Sequence, residues 1–262
     1  MRIGSNQNFF RLFVVIGLLL GMATIGAAQG QRGPQPAFKP AASDTLKASG
    51  GDIKITPVNH AGVMFQYAGK VIYADPVGNY SELPKADLIL ITDIHGDHLN
   101  AGAIAQLKKD GTVIVAPSAV AKTVTEAKVV DPGASTDVKL GNVDVKIDTI
   151  PMYNITRGPA PGQLFHTKGR GDGFIVNIGG KRIYLAGDTE CIPEMKALKN
   201  IDVAFIPMNL PYTMTPPEAA ECAKAFKPAV VYPYHYMGTD TQQFADAMKG
   251  TAGVEVRLRN WY

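Results

Sequence analysis

Cysteine is almost missing from this chain: in 262 residues only Cys191 and Cys222 occur. That excludes a disulfide framework and leaves stability to an ordinary core; neither cysteine lies in the cluster from Asp93 to His98, which argues against a closed structural zinc site there. Whether the two cysteines pair is left open by the sequence. An excess of one charge is also lacking. Against 26 basic residues stand 23 acidic ones, a net charge of +3, and the basic residues are scattered. No basic stripe is present to engage nucleic acid. Long apolar runs are confined to one place, Leu12 to Ala28. This stretch is uncharged, follows Arg2 and Arg11, ends Gly26-Ala27-Ala28, and precedes the first acidic residue, Asp44. It falls short of the roughly 20 residues of a spanning helix and has the charged start and small-residue end of a secretory signal. The expectation is an exported protein, periplasmic or secreted, with residues 1–28 removed and no membrane span left; a retained amino-terminal anchor is the alternative.

What is present is ordinary for one globular domain: 46% hydrophobic and 19% charged residues. Residues 29–51 are rich in Gly, Pro, Ala, Ser and Lys without periodicity and read as a flexible linker. From Asp52 the pattern turns to strands, predicted at Ile53 to Val58, Val63 to Tyr67, Val71 to Ala74, Asp87 to Thr92 and Thr112 to Ala116. Helices are predicted at Ala101 to Lys109 and just after Ser118. The second half repeats the theme, with strands at Val143 to Ile150, Gly173 to Ile178, Arg182 to Ala186, Val203 to Ile206 and Ala229 to Tyr232. Its helices are predicted at Pro193 to Lys199, Pro216 to Phe226 and Gln242 to Met248. Two strand-rich halves, each followed by helices, point to two sheets packed face to face with helices outside.

The densest chemical signal is Thr92-Asp93-Ile94-His95-Gly96-Asp97-His98-Leu99, which follows an apolar strand and precedes a helix capped by Asn100. A loop at the carboxyl end of a strand is where open α/β sheets place ligands. Imidazoles and carboxylates at 93, 95, 97 and 98 can splay toward two neighbouring cations, and their donor types suit zinc, iron or manganese. A polar turn capping the helix accounts for Asp97 or Asn100, but not for both histidines. Only five histidines occur, His60, His95, His98, His166 and His235, all in loops or at strand ends. Asp188 follows Tyr184-Leu185-Ala186-Gly187 at a comparable strand end.

The order Asp93 to His98, His166, Gly187-Asp188-Thr189 and His235 resembles the metallo-β-lactamase-fold hydrolases over about Asp52 to Tyr262. Within them, Asn59-His60-Ala61-Gly62, Tyr73-Ala74-Asp75-Pro76 and the stretch from Tyr212-Thr213-Met214-Thr215 to Pro233-Tyr234-His235-Tyr236 are similar to the branch containing L-ascorbate-6-phosphate lactonase. The resemblance implies a single-domain α/β fold, a four-layer αββα sandwich, over residues 52–262. It implies one metal at Asp93, His95 and His166, a second at Asp97, His98 and His235, and Asp188 bridging them. Two zinc ions are expected, with manganese or iron as alternatives. The implied activity is metal-dependent hydrolysis, a metal-activated water attacking a lactone, ester or phosphodiester, with Asp97 ligating and orienting that water. The family pattern has histidine where this chain has Asp93. That departure leaves open a retained site, a shift toward harder cations, or a weakened first site, and keeps two other functions in view: a non-catalytic metal-binding module and a di-iron redox protein.

His60 and Asp75, at strand edges of the first half, are candidates for supporting metal-bound histidines through hydrogen bonds, local sheet contacts being the alternative. The long segment from Pro151 to Asp172 carries Arg157 and Arg170, candidate contacts for an anionic group on a small-molecule substrate; plain solvent exposure is the other reading.

Overall fold

The computed structural model describes residues 36–39 and 41–262. The signal segment and residues 29–35 and 40 of the linker predicted from the sequence lie outside the described residues. In chain order the elements are β1 (Asp44–Ala48), β2 (Gly51–Asn59), β3 (Gly62–Tyr67), β4 (Lys70–Ala74), β5 (Leu88–Leu90), α1 (Ala101–Leu107), β6 (Val113–Ala116), α2 (Ser118–Ala121) and β7 (Lys128–Val129). The second half runs β8 (Ser135–Leu140), β9 (Val143–Met152), β10 (Gly171–Ile178), β11 (Lys181–Leu185), α3 (Pro193–Lys196), β12 (Val203–Pro207), α4 (Pro216–Phe226), β13 (Val230–Tyr234), α5 (Thr241–Met248) and β14 (Glu255–Val256).

Each half forms one seven-stranded sheet, ordered β1-β2-β3-β4-β5-β6-β7 and β14-β13-β12-β11-β10-β9-β8. In both, an antiparallel meander of four strands passes into parallel strands, at β4–β5 and at β11–β12. Parallel strands are covered on both faces, so they read as unbroken apolar runs. Leu88 and Leu90 of β5 point into the core between the sheets, with Ile55, Phe65, Phe174, Phe205 and Tyr232. Ile89 points the other way, onto Ala103, Ile104 and Leu107 of α1. On the second sheet Ile175, Tyr184 and Ala204 lie against Met195, Ala219, Ala223 and Phe244 of α3, α4 and α5. Three apolar layers therefore separate four layers of structure, the expected αββα sandwich.

The flexible linker requires correction at its end. Asp44 to Ala48 pair in register with Ile55 to Gly51 as an edge strand. Only Leu46 offers a large apolar side chain there, so pairing with β2 decides the conformation rather than local pattern. β8 also went unpredicted, although Val138 and Leu140 alternate inward from it. Helix α1 stops before the predicted end at Lys109, because Lys108 adopts an extended conformation as its C-cap. Helix α3 ends three residues before the predicted Lys199. Cys191 and Cys222 are joined as a disulfide, which ties the segment following Asp188 to α4.

Candidate metal centre

The topology gathers the polar side chains at one edge. The carboxyl end of β2 leads to His60, that of β4 to Asp75, that of β5 to residues 92–99, that of β11 to Asp188 and that of β13 to His235. The β9–β10 connection delivers His166. Backbone conformation is unusual at three of these points: His60, Asp75 and His235 have φ of 54°, 43° and 46°, the left-handed region in which non-glycine residues are uncommon and cluster at functional sites. Gly187 meets a related demand. Its φ is 66°, and a Cβ there would lie 2.5 Å from the Met152 sulfur, so no larger residue fits where Asp188 is delivered.

Two donor groups result. Asp97, His98, Asp188 and His235 form one, and Asp93, His95 and His166 the other. Asp188 joins them: its Oδ2 lies 3.2 Å from His166 Nε2 and 3.3 Å from His98 Nε2, and its Oδ1 lies 3.4 Å from His235 Nε2. His98 Nε2 and Asp188 Oδ1 are buried without a hydrogen-bond partner. Buried polar atoms left without partners inside such a donor group fit a bound cation. All seven ligands expected from the sequence are thus brought together.

The imidazoles are held from behind. A carboxylate only accepts, so His98 Nδ1 donates to Asp75 Oδ2 at 2.8 Å and presents Nε2 to the site. Asp75 is itself fixed by the Thr92 N–H at 2.7 Å and the Thr92 hydroxyl at 2.6 Å. His60 Nε2 contacts Asp97 Oδ2 at 3.0 Å, while its Nδ1 meets the Tyr262 hydroxyl at 2.6 Å. Asp75 thus stands behind a histidine as expected, whereas His60 hydrogen-bonds the carboxylate Asp97 rather than a histidine. Asn154 and Glu190 were missed. Asn154 Oδ1 accepts from His166 Nδ1 at 2.7 Å, and Glu190 receives the N–H groups of Ile155, Thr156 and Arg157.

Electrostatics follow the packing. Burial pushes the Asp188 carboxyl up, but His235 and His98 beside it hold it well below the usual carboxylate range. Burial pushes His98 down, and the charges of Asp188 and Asp75 more than reverse that. Asp188 and Asp75 thus hold a proton on His98, which a cation would displace on binding.

The substrate-contact expectation for Arg157 and Arg170 requires correction. Arg170 Nε and one terminal nitrogen grip Asp93 Oδ1 and Oδ2 at 3.1 and 3.0 Å, and its other terminal nitrogen donates to the Phe165 carbonyl. Arg157 clasps both oxygens of Glu218 at 2.9 and 2.7 Å. Both guanidinium groups are spent on internal carboxylates, which a buried Asp93 and an α4 capping box demand more strongly than solvent does.

Residues 54–235 match the β-lactamase superfamily domain. The chain belongs to that superfamily. Within it, the UPF0173 metal-dependent hydrolase of Thermococcus onnurineus is 32% identical over 196 residues, covering 70% of this chain and 84% of the relative. The Pyrococcus abyssi member is 30% identical over 222 residues, covering 78% and 96%. Among solved structures, a chain of Parabacteroides distasonis assigned as a metal-dependent hydrolase superposes with a TM-score of 0.77 at 41% identity, covering 84% of this chain and 98% of its own. This protein is thus a superfamily member of the metal-dependent hydrolase type, with its donor groups at the edge where the two sheets meet.

Asp172, beside the centre, is buried and was not singled out by sequence. Its N–H bonds the Thr92 carbonyl at 3.0 Å, and neither carboxylate oxygen has a partner. Burial first, then the charge of Asp131, pushes its carboxyl up to about 8. The unfolded chain releases this proton near pH 4 and the folded chain only near pH 8, so the folded state binds more protons in between. Stability should therefore fall as pH rises through that window, by on the order of 1 kcal/mol per unit. Asp172→Asn is expected to flatten the slope in urea midpoints measured from about pH 5 to about pH 8; an unchanged slope would assign it to another group.

Proposed function

We infer that this chain is an exported hydrolase that works with two divalent cations, zinc foremost and manganese or iron as alternatives, on a small-molecule ester, lactone or phosphodiester. The observation that carries the reading is Asp188, one carboxylate in contact with His166 of one donor group and with His98 and His235 of the other. That is the place of a carboxylate shared between two cations. When bound, such a pair polarises a substrate oxygen and lowers the pKa of water. The chain's own residues do the rest. Asp97, its side chain 41% exposed, faces the cavity as an ionised carboxylate able to orient water by accepting its hydrogen bond. Asp75 and Asn154 keep His98 and His166 in one tautomer. Asn209 and Tyr212 line the same cavity of about 410 Å³ and are the neutral side chains there of a type that can donate to a substrate oxygen. The likeness to the lactonase-containing branch favours lactones and esters. The Cys191–Cys222 disulfide supports export, since such bonds persist in oxidising compartments.

Chelation is the test. Dialysis against dipicolinate should remove the metal measured by elemental analysis and reduce turnover on an ester, lactone and phosphodiester panel at least about 100-fold. Two equivalents of zinc or manganese should restore both. Full metal occupancy without turnover on any panel member would assign a binding role instead.

A further inference from the structure

The cavity over the donor groups is walled by Phe165, Tyr212 and Met237 beside His95, Asp97, His166, Asp188 and Asn209. Phe165 and Tyr212 meet edge to face with ring centroids 4.9 Å apart. None of the wall residues is a lysine or arginine. The cations nearest in sequence are committed elsewhere: Arg170 to Asp93, Arg157 to Glu218, and Lys168 to Glu194. Among the described residues, seven large apolar side chains are exposed, and Ile94, Leu210, Tyr212 and Met237 all belong to loops that carry a ligand or line the cavity. Exposed apolar side chains gathered at one concave site mark a ligand surface rather than chance. Met237, at 58% exposure, has no partner in the core to explain it.

Resting on the hydrolase reading above, we propose that the substrate is an uncharged acyl ester or lactone whose apolar chain lies on Phe165, Tyr212 and Met237. An anionic tail lying on this wall would meet no cationic side chain there. The reaction needs water alone. A carbon–oxygen bond forms from water to the carbonyl carbon, the acyl–oxygen bond breaks, and the proton passes to the departing alkoxide, giving acid and alcohol. Nothing is oxidised or reduced.

The experiment is a chain-length series on the zinc-loaded protein, 4-nitrophenyl acetate to hexanoate, with bis(4-nitrophenyl) phosphate alongside. A fully buried methylene is worth about fourfold, so four half-buried ones should raise kcat/KM at least about tenfold. Met237→Ser should cut that ratio severalfold with zinc content unchanged. A flat or falling series, or a phosphodiester preferred to the hexanoate, overturns the proposal while leaving the hydrolase reading intact. Calorimetric binding of acetohydroxamate and hexanohydroxamate separates the two further. Tighter binding of the longer chain without turnover of any ester keeps the apolar wall and sinks hydrolysis, whereas equal binding sinks the wall.

Discussion

Replacing Asp97 by asparagine is expected to lower kcat/KM on the order of 1,000-fold and to release one of two bound zinc ions, with the fold unchanged. The size of the effect follows from what meets at one carboxylate. Asp97 Oδ2 lies 3.0 Å from His60 Nε2 and 3.3 Å from His235 Nε2. Burial pushes its carboxyl up, yet the hydrogen bonds from His235 and His60 and the nearby His98 hold it far below the usual carboxylate range. It is therefore ionised at every working pH. The amide keeps the shape but removes the charge, and it turns an N–H2 toward an imidazole N–H or toward a cation. Asp75→Asn is the contrast. It touches His98 rather than the cavity, and weakening such support costs about 10- to 100-fold. Steady-state kinetics, elemental analysis and near-ultraviolet circular dichroism on both variants check the ranking. Equal losses in the two would mean that Asp97 also only positions others.

The legible part of this molecule was whatever sits in short segments. Residues 93 to 98 follow one strand and precede one capped helix, so their placement at a sheet edge could be read directly. Asp188 and His235 could be read because each follows a strand end, and His166, inside the long β9–β10 connection, came with them through the motif order of the resemblance. Partners across long separations could not be read. Glu218 lies 61 positions from Arg157, and Asp93 lies 77 from Arg170, so sequence registered two loop cations and not the carboxylates that occupy them. One signal was nevertheless available. A carboxylate where the family pattern has a neutral imidazole adds a charge to a buried loop, and such a charge requires a counter-charge somewhere in the fold. Asn154 carried no comparable sign, since its amide matters only after the chain folds back 12 positions to His166. The edge strand β1 was hidden for a related reason: with one inward leucine, its order comes from its partner.

Arg170→Gln should separate the two lives of Asp93. Asp93 is fully buried, accepts two hydrogen bonds from Arg170, and contacts His95 Nδ1 at 2.9 Å. Burial pushes its carboxyl up, but the His95 hydrogen bond and the Arg170 charge bring it below the usual range. Aspartate and arginine together carry no net charge, as a neutral imidazole would, so the pair leaves the local charge of the first donor group close to that of the family pattern. Removing the guanidinium strands a buried carboxylate, and the metal-free protein should lose about 3 kcal/mol, the lower end for a broken buried pair because Arg170 is partly exposed. Zinc should offset part of that loss. With the positive neighbour gone, a dication becomes the carboxylate's partner, so the group of Asp93, His95 and His166 should bind zinc more tightly and the stability gap should shrink on saturation. Urea midpoints with and without zinc, together with titration of the second equivalent, read both effects. The double variant Asp93→Asn with Arg170→Gln completes the argument. It removes both charges, so metal-free stability should recover while affinity at this group falls. If the single variant instead binds zinc no better, Asp93 serves only to anchor Arg170 and orient His95, and the first group rests on His95, His166 and Asp188.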